Sequence, residues 1–142
     1  MIRLATKEDI PELSKLWVEM IKELEPDWEP NADVWIKNCE NLLDSGSYGI
    51  GIAIEDDKMV GFIDGMTYYD PASDKIIGFG KNFYVARDYR GTDIAEELMI
   101  TSIVEAQKRG VETLEMQCYP DKLEYWVKHG FEGRQIISRM VI

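Results

Sequence analysis

The 142-residue chain has a single histidine, His129, and only two cysteines, Cys39 and Cys118, far apart in the sequence. Two distant thiols make no disulfide framework, and with one imidazole they assemble no zinc-type ligand set. Both cysteines are therefore expected reduced and buried, and no metal site is expected. Cations are also scarce, with 16 Lys and Arg against 27 Asp and Glu and a formal net charge of -11. Nucleic acid is not an expected partner, because phosphate binding rests on clustered Lys and Arg that release counterions. No apolar run approaches the roughly 18 to 20 residues that cross a bilayer. The opening MIRLATKEDIPE lacks the apolar stretch of a signal peptide, so a cytoplasmic location without a membrane partner is expected. Repeats, linkers and low-complexity tracts are missing too. At 45% hydrophobic content the chain can close one core and is too short for two, so one domain over residues 1–142 is expected.

The charge is unevenly placed. Residues 1–71 hold 6 Lys and Arg against 16 Asp and Glu, and residues 72–142 hold 10 against 11. A cationic ligand is thereby expected to favour the N-terminal half and an anionic one the C-terminal half.

Thr6 followed by Asp9 reads as a helix start, after which Ile10, Leu13, Trp17, Met20, Ile21 and Leu24 recur at helical spacing. A second helix is expected over 32–44, with Trp35, Cys39 and Leu42 on one face and Gly46 as its stop. From Tyr48 onward the pattern turns to β, with three antiparallel strands expected over 50–54, 59–69 and 76–85. A long helix over 94–109 capped by Gly110 follows. Then come a short strand over 111–118, a short helix from Pro120 to Lys128, and a last strand over 135–142. This order gives an α/β fold with one mixed sheet. The terminal apolar strand offers pairing across a homodimer.

The chemistry centres on the strand Phe83-Tyr84-Val85, which feeds the turn Arg87-Asp88-Tyr89-Arg90-Gly91-Thr92-Asp93 and then the helix opening Ile94-Ala95. A strand–turn–helix junction aims free amides and the positive end of a helix dipole at one point, which suits a phosphate. Val85, Tyr89, Arg90, Gly91, Ile94 and Ala95 resemble the V-x-P-x-Y-R-G-x-G-I-G/A pattern of the GNAT acyltransferase family. The opening Ile2-Arg3-Leu4-Ala5-Thr6 with Asp9-Ile10, and the closing Trp126-Val127-Lys128-His129-Gly130-Phe131, resemble that family's first strand with its helix start and its Y-x-x-x-G-F. The resemblance implies the GNAT fold, a single mixed, mostly antiparallel sheet flanked by helices. It also implies an N-acetyltransferase that passes an acetyl group from acetyl-CoA directly to a primary amine. Phe83, Val85, Arg87, Arg90, Gly91, Thr92, Asp93, Ile94, Ala95 and Trp126 would then line the cofactor, with residues 83–85 splaying from their neighbour to pair with the pantetheine arm.

Two departures set an alternative beside this reading. Asp93 stands where the family has the central glycine of its phosphate loop, and with Glu96 it forms a capping-box pattern whose carboxylates would take the amides a phosphate uses. Trp126 stands where many relatives place the tyrosine that protonates the leaving thiolate, and indole cannot serve as that acid. Tyr125, about 100° around the helix, is the candidate acid, with Tyr119 a further one. Glu115 and Asp64 are the candidate bases for the attacking amine. The alternative is a catalytically degenerate GNAT-fold binding or interaction module.

In the family the first two helices and their connection wall the acceptor site. Here that stretch carries Glu23, Glu25, Asp27, Trp28, Glu29, Asp33 and Trp35. Carboxylates among indole rings suit a cationic small-molecule or peptide amine, or else form a solvated acidic loop whose tryptophans fill the core.

Overall fold

Asp56 and Asp57 both take positive φ, 49° and 61°, and close a two-residue hairpin between β2 (Tyr48–Glu55) and β3 (Lys58–Asp70). Both central residues at positive φ match the right-handed twist of the flanking strands, and Asp tolerates that conformation better than bulkier residues. Asp70 shapes the next turn by accepting from the amides of Ala72 and Ser73 and from the Ser73 hydroxyl, and β4 (Lys75–Val85) returns antiparallel. These three strands agree with the β-type pattern of the sequence and extend it by a residue or two at most ends.

The computed structural model describes residues 1–135 and 137–142. Among the described residues the sheet has five strands in the order β1-β2-β3-β4-β5, where β1 is Ile2–Leu4 and β5 is Thr113–Met116. Only the β4–β5 pair is parallel, and α3 (Ile94–Lys108) makes the crossover between them. The expected mixed, mostly antiparallel sheet is what forms.

One face of the sheet carries α1 (Ile10–Leu24) and α2 (Ala32–Asp44). Ile10, Leu13, Trp17 and Met20 pack there with Cys39, Ile50, Ile52, Phe62 and Tyr84. The opposite face buries Leu98 and Met99 of α3 and Trp126 of α4 (Leu123–Lys128) against Ala53, Val60, Ile63 and Val85. Each fully buried Ile, Leu or Phe contributes about 1.5 to 3 kcal/mol, so the two layers hold the strands between them. The N-terminal start is pinned as its spacing suggests. Asp9 accepts from the Thr6 amide at 2.8 Å and pairs with both terminal nitrogens of Arg3 at 2.7 Å, which holds its carboxyl down at about 2.

The expected last strand does not form. Residues 135 and 137–142 are irregular and exposed, and residue 136 lies outside the described residues. An apolar, β-branched run reports residues that fit a pleated, covered environment; it supplies no ladder partner. Among the described residues no helix is long and apolar enough to cross a membrane.

Candidate active site

The sheet forks at its parallel edge. Strand β4 pairs with β5 only from Ile77 to Gly80, and the last bond runs from the Gln117 N–H to the Gly80 carbonyl at 2.9 Å. Residues 81–85 keep β3 on one margin and have no strand on the other among the described residues. The splay expected of Phe83 to Val85 is where it was placed. Its local cause is a bulge. Between the pairs Ile63–Phe83 and Gly65–Gly80, β3 contributes Asp64 alone whereas β4 contributes Lys81 and Asn82. The extra residue turns β4 relative to the strands beside it.

At the end of the free margin the chain makes a short 3-10 turn, Arg87–Tyr89, then passes through extended Arg90 and left-handed Gly91 (φ 75°) into α3. A side chain at Gly91 would strain that conformation, which glycine adopts freely. The N–H groups of Gly91 through Glu96 find no acceptor among the described residues, and the first bond of the helix is Glu97 N–H to the Asp93 carbonyl at 2.9 Å. The capping box read from Asp93 and Glu96 does not form. Asp93 takes helical angles (φ -77°, ψ -4°) and its carboxylate caps nothing, because a capping side chain reaches back over the first turn only from an extended backbone. Thr92 turns its hydroxyl onto the Tyr89 carbonyl at 2.7 Å. Arg87 is largely exposed, Ile94 is buried in the lower core and Ala95 packs at its margin.

Arg90 is engaged elsewhere than its motif implies. Its guanidinium forms a two-pronged pair with Glu23 of α1 at 2.8 and 2.9 Å, donates Nε–H to the Val85 carbonyl at 2.8 Å, and lies 5.3 Å from the centre of the Tyr84 ring. A planar guanidinium with a matched carboxylate forms a strong charge-assisted pair, so this side chain ties the turn to α1. The same contact, with help from the Tyr84 hydroxyl and Arg87, lowers the Glu23 carboxyl to about 2. Sixty-seven residues separate Glu23 from Arg90, so no local spacing signalled the pair.

Beside the free margin stands Tyr125. Its ring centre is 6.0 Å from that of Phe83 and 4.5 Å from His129, and its hydroxyl is buried without a hydrogen-bond partner among the described residues. Burial, then the nearby Glu96 carboxylate, raise its pKa, so the phenol stays protonated. Trp126 is 4% exposed and wedged against Phe83 and Phe131, at 5.2 and 5.0 Å between ring centres. It backs Phe83 from the core. A cavity of about 110 Å³ behind it, bounded by Gly78, Gly80, Met99, Ser102, Trp126 and Phe131, lies on the paired side of the fork.

On the α1 side of the sheet, Tyr84 points its hydroxyl at Glu19 (3.1 Å) and Glu23 (2.9 Å), and Tyr119 donates to Glu25 at 2.7 Å. Glu19 carried no sequence signal of its own, being one helix carboxylate among several. Trp17, a core residue, stacks on Trp35 at 5.1 Å and meets Trp28 edge-on at 5.8 Å, so these indoles bind α1 to α2 and its approach, although Trp28 keeps 53% of its surface exposed. Glu115 is exposed on β5 opposite Phe79, with the Tyr68 hydroxyl 3.4 Å away. Asp64 is 3% exposed and already accepts from three donors, which keeps it from serving as a base for a substrate. Among the described residues no group of His, Cys, Asp and Glu is arranged to hold a metal ion.

Comparison with known proteins follows the same lines. The model of the acetyltransferase (GNAT) family matches residues 12–139. Sequence comparison with curated proteins finds no significant match. Among solved structures, a ribosomal-protein-alanine N-acetyltransferase from Brucella melitensis biovar Abortus 2308 superposes with a TM-score of 0.80 at 21% identity, covering 100% of this chain and 97% of that one. A predicted acetyltransferase with acetyl-CoA from Clostridium acetobutylicum gives 0.81 at 19% identity over 99% and 95%. An aminoglycoside acetyltransferase from an uncultured soil metagenomic sample, in complex with sisomicin, gives 0.78 at 14% identity over 100% and 94%. At these identities the structures show a shared fold.

Proposed function

Because this chain belongs to the acetyltransferase (GNAT) family, whose members are acyl-CoA-dependent N-acyltransferases, we propose that it transfers an acetyl group from acetyl-CoA to a primary amine on a cationic acceptor. The observation that carries the reading is the run of amides from Gly91 to Glu96 without an acceptor among the described residues, at the end of a strand margin left free. Unpaired amides at a helix start favour an anion through both hydrogen bonds and the helix dipole. The residues thus fit a diphosphate, with the largely exposed Arg87, 3.9 Å from Glu23, as a cation of the same turn and the backbone of residues 83–85 available to an amide-bearing arm. Asp93 opposes this by adding a negative charge beside the site.

Acetyl-CoA supplies an activated thioester. The chain orients it and handles two protons. Tyr125, kept protonated by burial, is the proposed donor of a proton to sulfur as the C–S bond breaks, and Glu115 is the candidate to accept the proton that leaves the attacking amine. Direct transfer needs both substrates held side by side, and no covalent enzyme intermediate. The acceptor's positive charge is drawn by Glu19, Glu25, Asp27 and Glu29 around the end of α1, with the exposed Trp28 offering a ring face. The aminoglycoside and ribosomal-protein acetyltransferases of similar fold bracket the small-molecule and protein ends of this acceptor class.

Isothermal titration of the chain with acetyl-CoA tests the reading. Saturable binding is expected, and no heat at millimolar acetyl-CoA would overturn it. Tyr125→Phe is expected to lower kcat about 10- to 100-fold, with little change in KM for acetyl-CoA; an unchanged kcat would remove Tyr125 from the chemistry.

A further inference from the structure

The bulge that opens the fork is held by a buried carboxylate. Asp64 occupies the single β3 position opposite Lys81 and Asn82, where the register breaks. Its Oδ1 accepts the backbone N–H of Asn82 at 2.9 Å, and its Oδ2 accepts the Asn82 side-chain amide at 2.7 Å and the Tyr48 hydroxyl at 2.8 Å. An unpaired charge at 3% exposure is costly, so a buried carboxylate persists where its oxygens are matched by donors. Here three donors match the two oxygens, one from Tyr48 on β2 and two from Asn82, the inserted residue of the bulge on β4. Without Asp64, the Asn82 amide would have to seek a carbonyl on β3, and the regular ladder is the arrangement that provides one. Gly65 and Gly80, paired directly before the bulge, let the strands meet closely there: a Cβ at Gly65 would lie 2.9 Å from the Phe79 carbonyl oxygen.

We propose that Asp64 is a positioning residue for the acyl donor: by clamping Asn82 it keeps β4 in its bulged form, and so keeps the margin of residues 83–85 turned away from β5 and open to the donor. This inference rests on the donor reading above, since it concerns the width of the same fork. Asp64, 3% exposed, acts through Asn82 in this reading rather than on the reacting atoms. Burial raises its pKa, the Asn82 and Tyr48 donors pull it back, and Lys81 adds a favourable charge. Tyr48 stays protonated, held up by burial first and then by Asp64, and the neighbouring Cys39 thiol is pushed up to about 12, chiefly by burial.

The test is kinetic, with acetyl-CoA and a fixed amine acceptor. Asp64→Asn places an amide where two donors converge, and is expected to raise KM for acetyl-CoA about 10-fold while kcat at saturating acetyl-CoA stays within about 2-fold. Asn82→Ala, which removes one of the two Asn82 bonds and is milder for folding, is expected to raise KM by a smaller factor. The double variant Asp64→Asn with Asn82→Asp reverses the donor and the acceptor and is expected to bring KM back toward wild type. Lower melting temperatures with unchanged KM for acetyl-CoA in Asp64→Asn and Asn82→Ala would overturn the inference, leaving Asp64 as a core residue only. Should Asp64→Asn not fold, Asn82→Ala and the double variant decide the matter. A wild-type chain that binds no acetyl-CoA would instead overturn the donor reading itself, so the two failures are distinguishable.

Discussion

Asp93 shows how one side chain can oppose the fold that surrounds it. Its backbone sits in the run of unpartnered amides, and its exposed carboxylate adds negative charge where the loop would hold phosphates. Asp93→Gly is expected to tighten acetyl-CoA binding about 5-fold in a calorimetric titration, because a nearby like charge is removed while the amides remain. Weaker binding would mean the carboxylate helps through a contact of its own. Glu23 makes the opposite case, a charge that is fully matched. Its carboxyl is lowered to about 2 by Arg90 first, then by Tyr84 and Arg87. A depressed carboxyl contributes stability above its unfolded pKa, near 4.5, and loses it as pH falls toward the folded value. Glu23→Gln should therefore cost about 1 to 2 kcal/mol at pH 7, discounted for the partly exposed Arg90. Chemical denaturation should show the variant and wild-type curves converging as pH falls from about 4.5 to about 2. Curves that stay parallel would mean the ion pair is not the source of the difference.

At the scale of elements, α1 decides what reaches the fork from the acceptor side. Its last turns bring Glu19 and Glu23 onto the Tyr84 hydroxyl, and Glu25, at its end, accepts from Tyr119 just beyond β5. The helix therefore touches both arms of the fork, so its acidic end lies along the mouth. Neutralising Glu25, Asp27 and Glu29 together is expected to raise KM for a cationic acceptor several-fold with little change in kcat, since these groups attract the substrate without handling its proton. Steady-state kinetics with an unchanged acceptor KM would assign the stretch to solvent. Helix periodicity made α1 and α2 legible in advance, and the positive-φ Asp56-Asp57 turn sits where a polar link separated two β-type runs. The strand expected over 135–142 shows the limit of such patterns: its described residues carry the apolar spacing and no ladder.

The whole molecule carries a net charge of -11, concentrated in its N-terminal half. Folding sets that half, through α1, beside a β4–α3 junction from a nearly neutral one. A cationic acceptor and an anionic donor then have separate approaches, and raising ionic strength is expected to lower kcat/KM for the cationic acceptor. A salt-independent kcat/KM would argue for an uncharged acceptor. Acetyl-CoA at 100 times its Kd should also stabilise the fold by about 2.7 kcal/mol, read as an upward shift in Tm.

Taken alone, the sequence determined the order of elements, the family resemblance, the acidic bias and the place of the strand–turn–helix junction, because periodicity, turn chemistry and short motifs are written in neighbouring residues. The tertiary structure decided which groups are spent and which are free. Arg90, part of the motif at the junction, is paired with a glutamate 67 positions away. Asp64, a candidate base on a strand, is sealed beneath the bulge it holds. Tyr125 is left with a buried hydroxyl and no partner among the described residues. These contacts depend on distances of about 3 Å between atoms far apart in sequence that the chain's path alone brings together, and no spacing along the sequence records them.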